Sequence, residues 1–192
     1  MRPKLLDRLK AHGFRVFEDG LFNLNIIGVR TKGEPNKFDD RICLVYKDKH
    51  GWVTREWPAT TDPGTYWLEN PSKFQGTAVM ASPQQCRSAY KIDLHRGQYE
   101  ALCQRLSKVK VWRDGDKNDT VDWDQFDDSV EGWYGINIHR AGANSMQVDK
   151  WSAGCQVFQR ASDFDSFMEL VKASEALYGN KFTYTLIDEE TP

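Results

Sequence analysis

Hydrophobic and polar positions alternate, or form short apolar runs, over much of the chain up to residue 112, and this pattern is typical of strands. The predicted strands cover residues 24–29, 42–46, 52–57, 77–80, 89–94 and 109–112. The turn KDKHG separates the second run from the third, which indicates a hairpin. The stretch TTDPGTYWLENP then breaks the alternation with turn residues around Pro63 and Gly64.

Helical spacing predicts three helices among these strands. Residues 3–12 place three leucines on one face, and QYEALCQRL at residues 98–106 shows a similar period. A longer helix is predicted over residues 163–178, with Ser162 or Asp163 as its cap, Gly179 as its stop and four apolar residues at helical spacing: Phe164, Phe167, Met168 and Val171. The following KFTYTLI predicts a closing strand, so the pattern as a whole favours a strand-rich α+β fold.

Composition limits this fold to one domain and narrows its partners. The chain has 192 residues, 40% of them hydrophobic, which suffices for a single core. Twenty-six basic and 28 acidic side chains leave a net charge near −2, which disfavours nucleic acid and anionic membranes as partners. No apolar stretch approaches the roughly 20 residues of a membrane span, and MRPKLLDRLKAHGF is not typical of a signal peptide. We expect a monomer that is synthesised in the cytoplasm without a signal peptide.

The cysteines and the acidic residues do not predict a metal site or a cofactor. The four cysteines lack metal-ligand spacing such as C-x-x-C, and they favour reduced thiols over disulfides. The loop of residues 114–125 resembles a calcium loop in part, but Asp119 replaces its sharp-turn glycine and Gln125 replaces its bidentate glutamate. A solvated acidic turn is the favoured interpretation.

Residues 136–158, INIHRAGANSMQVDKWSAGCQVF, contain the candidate chemistry. GWYGINIH predicts a strand that ends at His139, and Cys155 begins the strand that follows the turn of Ser152, Ala153 and Gly154. An imidazole beside a thiol activates it as a nucleophile, and a glycine turn can orient backbone N–H groups toward an oxyanion. The alternative is a small core cysteine and a structural histidine. His95 also ends a predicted strand and either lines the same cleft or is structural.

IHRAG followed by SAGC resembles the L,D-transpeptidase (YkuD-type) catalytic domain, and the separation of histidine and cysteine falls within that family's usual spacing. The hairpin and turn of ICLVYKDKHGWVTREWPATTDPGTYWL are similar to those of the family as well. The resemblance implies an L,D-transpeptidase-like β-sandwich at residues 41–192. Residues 1–40 are then an N-terminal extension of a helix and a strand that packs on this domain.

The resemblance also implies the roles of individual residues. Cys155 is the nucleophile that forms a thioester, and His139 is its base. The N–H groups of Gly154 and Cys155 hold the oxyanion, and Ser152 steadies the turn or the imidazole. Arg140, Trp151 and Trp133 are the candidates for substrate contacts.

The implied substrate is a peptidoglycan stem peptide, and no cofactor is expected. Gln156, Val157 and Phe158 replace the family's apolar-Arg-apolar run, which leaves the acyl acceptor open between an amine and water. Action on the cell wall then requires lysis, injection or delivery in a virion. A second function class stays open, a non-catalytic module of phage or effector type that binds the cell wall or a protein partner, with Cys155 as a bystander.

Overall fold

The computed structural model describes residues 1–126 and 128–189. Within them it contains three α-helices and eleven strands. In chain order these are α1 (Leu5–Ala11), β1 (Asn25–Arg30), β2 (Asp40–Asp48), β3 (Gly51–Thr60), α2 (Thr65–Glu69), β4 (Thr77–Met80), β5 (Gln84–His95), β6 (Tyr99–Gln104), β7 (Val109–Asp114), β8 (Val130–Gly132), β9 (Ile138–Arg140), β10 (Gln156–Phe158), α3 (Ala161–Tyr178) and β11 (Phe182–Asp188). A short 3₁₀ helix spans Trp123–Gln125.

Eight of the strands form a closed barrel in the order β1-β11-β5-β6-β9-β10-β3-β2, and β2 pairs with β1 to close it. Most neighbours are antiparallel, as in the predicted β2–β3 hairpin, but β1 pairs in parallel with β11 and β9 pairs in parallel with β10. The other three strands form a small sheet in the order β4-β7-β8. Closure leaves no free edge in the main sheet.

Strand alternation distributes the apolar side chains between two clusters on opposite faces of β1, β2 and β11. The larger cluster joins side chains of the barrel to the apolar face of α3; among its members are Ile26, Ile42, Leu44, Tyr184, Leu186, Phe164 and Phe167. The intervening positions pack against α1, in a cluster of Leu6, Leu9, Ile27, Val29, Cys43, Val45 and Ile187. Both faces of these strands are therefore buried. The helices predicted over residues 3–12 and 163–178 are confirmed as α1 and α3.

The prediction of a helix over residues 98–106 is wrong. Residues Tyr99–Gln104 form β6, which pairs with β5 on one side and β9 on the other. Ala101, Leu102 and Cys103 are all buried, so the segment lacks the alternation that marks a half-exposed strand. A fully buried strand and a short helix have similar local patterns, and here pairing with distant strands decides.

The strand predicted for GWYGINIH is also shorter than expected. Only Ile138–Arg140 form β9, so His139 is the middle residue of a three-residue strand and does not end a long one. Gly135 has φ +67, which is incompatible with a continuous strand through this segment.

The strand-rich α+β fold of one domain is confirmed. The main sheet is a closed barrel with a small added sheet, so the expected L,D-transpeptidase-like sandwich is not confirmed. The N-terminal segment of residues 1–40 contributes β1, which lies between β2 and β11 in the barrel. The division at residue 40 stays a prediction. No helix in residues 1–126 and 128–189 is long and apolar enough to cross a lipid bilayer.

A buried arginine at the end of β1 joins three segments of the fold. The Arg30 side chain is fully buried and forms an ion pair with Asp62, with 2.8 Å between Nε and Oδ1. Its guanidinium also donates to Thr61 Oγ1, Thr61 O, Met80 O and Ser82 Oγ, at 2.8–3.1 Å. This side chain thus ties β1 to the loop after β3 and to the end of β4.

Arg30→Met should lower the free energy of unfolding by about 3 kcal/mol or more, because it leaves buried acceptors and a carboxylate without a donor. Arg41→Met is the matched control, since Arg41 is half exposed and its ion pairs with Glu56 and Glu189 lie at the surface. The control should lose less than about 1 kcal/mol. Urea denaturation measures both, and equal losses would show that burial of the ion pair is not what matters.

Candidate active site

The parallel pairing of β9 with β10 brings the predicted histidine and cysteine to the same region. His139 lies opposite Val157, and Ile138 lies opposite Gln156. Cys155 immediately precedes β10 and lies beside Asn137, whose N–H donates to Sγ at 3.4 Å. His139 is two positions beyond Asn137, so it is offset diagonally from Cys155 on the same face of the sheet.

The loop between the two strands is held down by a small apolar cluster, although it has no helix or strand of its own. Ala141, Val148 and Val157 pack with Phe38, and Cys155 contacts this cluster. Within the loop, the Trp151 N–H donates to Val148 O at 2.8 Å. The cluster fixes the path of the chain from the histidine strand to the cysteine.

The turn before the cysteine is stabilised by Ser152. The buried Ser152 hydroxyl donates to Cys155 O at 2.7 Å and accepts from Gly154 N at 3.2 Å. The Gly154 N–H is therefore already engaged, so of the two N–H groups expected to hold an oxyanion, the Cys155 N–H is the remaining candidate. Gly154 has φ +114, and a Cβ at this residue would overlap Ala78 O in β4.

The hydrogen bonds around His139 determine its tautomer. Nδ1 lies 3.0 Å from Arg140 O, which also accepts from Tyr99 Oη at 3.3 Å. A carbonyl oxygen only accepts, so Nδ1 carries the proton and Nε2 has a free lone pair. Nε2 is buried and has no hydrogen-bond partner among the described residues. The ring thus has an unprotonated nitrogen without a hydrogen-bond partner among the described residues.

The Cys155 thiol and the His139 imidazole are both neutral in the resting protein. Burial raises the pKa of Cys155, against smaller lowering effects of the Asn137 N–H and Arg96. Burial, followed by the influence of His95, lowers the pKa of His139 to about 3. No hydrogen bond joins Cys155 to His139 among the described residues, and Sγ instead lies 3.7 Å from Gly135 O. The described residues therefore contain no preformed thiolate–imidazolium ion pair at this site.

A second imidazole lies against the first. The His95 and His139 rings stack with 4.1 Å between centroids and 22° between planes. Asn137 Nδ2 lies 3.0 Å from His95 Nδ1. The sequence had drawn attention to His95 at a strand end, but it had not indicated Asn137 or Tyr99. The one local sign of Asn137 is a polar residue within the apolar run INI.

The three predicted substrate-contact residues lie in different surroundings. The Arg140 guanidinium lies 4.7 Å from the centroid of the Tyr99 ring, which itself contacts His139. Trp151 belongs to the loop that ends at the cysteine, and its side chain is partly exposed. Trp133 lies just after β8 and is exposed. Of the three, Arg140 is the one that the structure connects to the His139 ring.

The acidic loop and the other cysteines add no metal centre. In residues 114–125, Asn118 Nδ2 donates to Asp116 Oδ2 at 2.5 Å and lies 3.4 Å from Asp122 Oδ2. Within the part of the chain that the structure describes, no group of three or more His, Cys, Asp or Glu side chains is arranged to hold a metal ion. All four cysteines are free, as predicted.

No family model, curated protein or solved structure matches this chain.

Gly154→Ala should lower the free energy of unfolding by more than the roughly 1–2 kcal/mol expected for a non-glycine residue at positive φ. The added methyl group overlaps Ala78 O as well as straining the backbone. Gly51→Ala is the control, because Gly51 has a similar φ of +119 and no atom within 4 Å of its Cβ position. Urea denaturation of both variants separates the two costs; losses of equal size would remove the steric argument.

The histidine pair should make stability depend on pH below about 6.5. Burial lowers the pKa of His139 to about 3 and that of His95 to about 4, whereas an unfolded histidine has a pKa near 6.5. The unfolded chain thus binds more protons between about pH 6.5 and 4, and the free energy of unfolding falls as the pH decreases through this window.

His139→Gln should make that decline shallower, because it removes one of the two buried groups. His50→Gln, in the exposed β2–β3 turn, should follow the wild type. Urea unfolding at pH 7, 6, 5 and 4.5 tests this, and identical slopes for His139→Gln and wild type would argue against a buried neutral His139.

Proposed function

We propose that this chain is a cysteine-dependent enzyme that acts on peptidoglycan stem peptides, by L,D-transpeptidase-type acyl transfer or by the corresponding carboxypeptidase or endopeptidase hydrolysis. The observation that carries the proposal is the state of His139. Its Nδ1 proton is held by Arg140 O, and its buried Nε2 has no hydrogen-bond partner among the described residues, in the strand that pairs with β10 just after Cys155. A general base needs a free lone pair of this kind.

In the proposed reaction, His139 Nε2 takes the Cys155 proton as Sγ attacks the carbonyl carbon of the scissile amide. The Cys155 N–H stabilises the oxyanion of the tetrahedral intermediate. The intermediate then expels the amine, which receives the proton from Nε2–H, and a thioester remains on Sγ. Water or a second amine attacks the thioester, loses its proton to Nε2 and releases the thiol. Neutral groups at the start and end of the cycle agree with the shifted pKa values of both residues.

The motifs IHRAG and SAGC support the proposed substrate class. They also support the proposal that the barrel is related to L,D-transpeptidases. Arg140 is suited to a carboxylate of the stem peptide, because its guanidinium lies over Tyr99 beside the base. Trp151 and Trp133 are proposed as walls of the substrate groove. The proposed site of action is the cell wall, reached after lysis, by injection or in a virion, and hydrolysis is the favoured outcome there.

Mass spectrometry of purified tetrapeptide muropeptides tests the proposal. Wild-type protein should remove the terminal D-amino acid or split 3–3 crosslinks, and added D-amino acids should be incorporated if amines are accepted. Cys155→Ala should lose activity by several orders of magnitude, because the covalent step disappears. His139→Gln should be similarly impaired.

Cys103→Ala is the matched control, since Cys103 is a free buried thiol in β6 that takes no part in the proposed reaction. It should retain activity. Activity of Cys155→Ala near that of wild type would refute the nucleophile assignment. Binding of muropeptides with every mass unchanged would replace the enzyme by a cell-wall-binding module.

A further inference from the structure

Asn137 connects the surroundings of the cysteine to those of the histidine. Its backbone N–H donates to Cys155 Sγ at 3.4 Å, and its carbonyl accepts from Gln156 N at 2.9 Å. Its side-chain Oδ1 accepts from Gln104 N at 3.0 Å. Because that N–H can only donate, the amide orientation is fixed, and Nδ2 is the group directed at His95.

The orientation of Asn137 determines the tautomer of His95. Nδ2 donates to His95 Nδ1 at 3.0 Å, so Nδ1 is the unprotonated nitrogen and the proton resides on Nε2. This tautomer is the opposite of that of His139, whose proton is on Nδ1. The two stacked rings are therefore both neutral, and each is held by a hydrogen bond to a fixed partner.

We propose that Asn137 and His95 are a positioning pair for the nucleophile and its base. Asn137 holds the Cys155 sulfur through its backbone N–H and the His95 ring through its side chain. His95 stacks on the His139 ring and thereby fixes the orientation of that ring. The inference rests on the proposed function. Neither residue touches the reacting atoms as a proton carrier. Their effect is to keep the His139 ring in place, with Nε2 unprotonated and enclosed.

The charged groups around the two rings support a neutral pair. Burial and then His95 lower the pKa of His139, the hydrogen bond to Arg140 O raises it, and the charges of Arg96 and Arg140 lower it to a smaller extent. Burial, and then Arg96 and Arg105, lower the pKa of His95. Tyr99 is the other titratable group at His139, with Oη 3.4 Å from Nδ1. These cations and the aromatic contact disfavour an imidazolium in the stack. A carboxylate in place of Asn137 would reverse this balance at His95.

Asn137→Asp is the decisive variant, because it keeps the shape of the side chain and the acceptor for Gln104 N while it replaces the donor to His95 by a second acceptor. ¹⁵N NMR of histidine-labelled protein should show the Nε2–H tautomer for His95 in the wild type. In the variant, His95 should carry a proton on Nδ1. The rate of Cys155 alkylation by iodoacetamide should fall by about tenfold or more.

Asn180→Asp is the matched control. Asn180 also bonds a strand backbone through both ends of its amide, to Ile92 N at 2.6 Å and Ile92 O at 3.1 Å, but it lies after α3 and belongs to neither the Cys155 turn nor the histidine stack. It should lose stability without loss of thiol reactivity. A fall in reactivity equal to that of Asn137→Asp would reduce the effect to a general loss of stability and overturn the inference.

The variants His95→Ala and His95→Phe test the positioning role through the pH dependence of Cys155 alkylation. A purely structural role of His95 would not change this pH dependence. Ala admits water beside His139 and should raise its pKa toward 6.5, so the variant-to-wild-type ratio of alkylation rates should fall between pH 8 and pH 5. Phe keeps the ring stack and should keep the ratio nearly constant. A constant ratio for Ala as well would contradict the positioning role.

Failure of the inference and failure of the proposed function give different results. If His139→Gln slows alkylation of Cys155 while Asn137→Asp and His95→Ala do not, only the positioning pair is wrong. If His139→Gln leaves alkylation unchanged, the base assignment and the proposed function fail together.

Discussion

The parallel register of β9 and β10 is the constraint on which the candidate site depends. The two strands are three residues long each, and His139 lies opposite Val157. Because side chains alternate, a slip of one residue would turn His139 into the barrel core, where Ile138 and Phe158 now pack. The cores on both faces thus oppose such a slip, so the placement of the histidine relative to the cysteine is a result of ordinary hydrophobic packing.

Burial has two opposite effects at this site. It fixes the rings of His95 and His139, the turn at Ser152 and the path of the loop, which a solvent-exposed site on mobile segments would not achieve. It also disfavours every charged state, so the thiol pKa is raised and the imidazole pKa is lowered. Both groups are therefore neutral at rest, and the proposed reaction requires proton transfer between them only when a substrate carbonyl is bound.

The closed barrel and the helices packed on it explain why both faces of β1, β2 and β11 are buried. Apolar residues of β1, β2 and β11 belong on one face to the larger cluster, which also includes α3, and on the other face to the cluster with α1. On the opposite side of the barrel, β4 of the small sheet approaches the cysteine turn through Ala78, whose carbonyl lies where a Cβ of Gly154 would be. The glycine before the cysteine is thus required both by its positive φ and by this close approach. The small sheet and the barrel together hold the turn.

The sequence by itself determined the elements whose pattern is local: α1, the β2–β3 hairpin, α3 and β11 follow from periodicity, and the turn of Ser152 and Gly154 before Cys155 follows from small-residue chemistry. It also indicated the histidine and the cysteine as a pair, because both belong to one stretch. Only the tertiary structure decided that residues 99–104 form a strand and that Asn137 and His95, 42 positions apart, meet beside His139. Strand pairing and register depend on contacts between distant segments, and neither the alternation nor the composition of a single segment encodes which distant residue will lie opposite it.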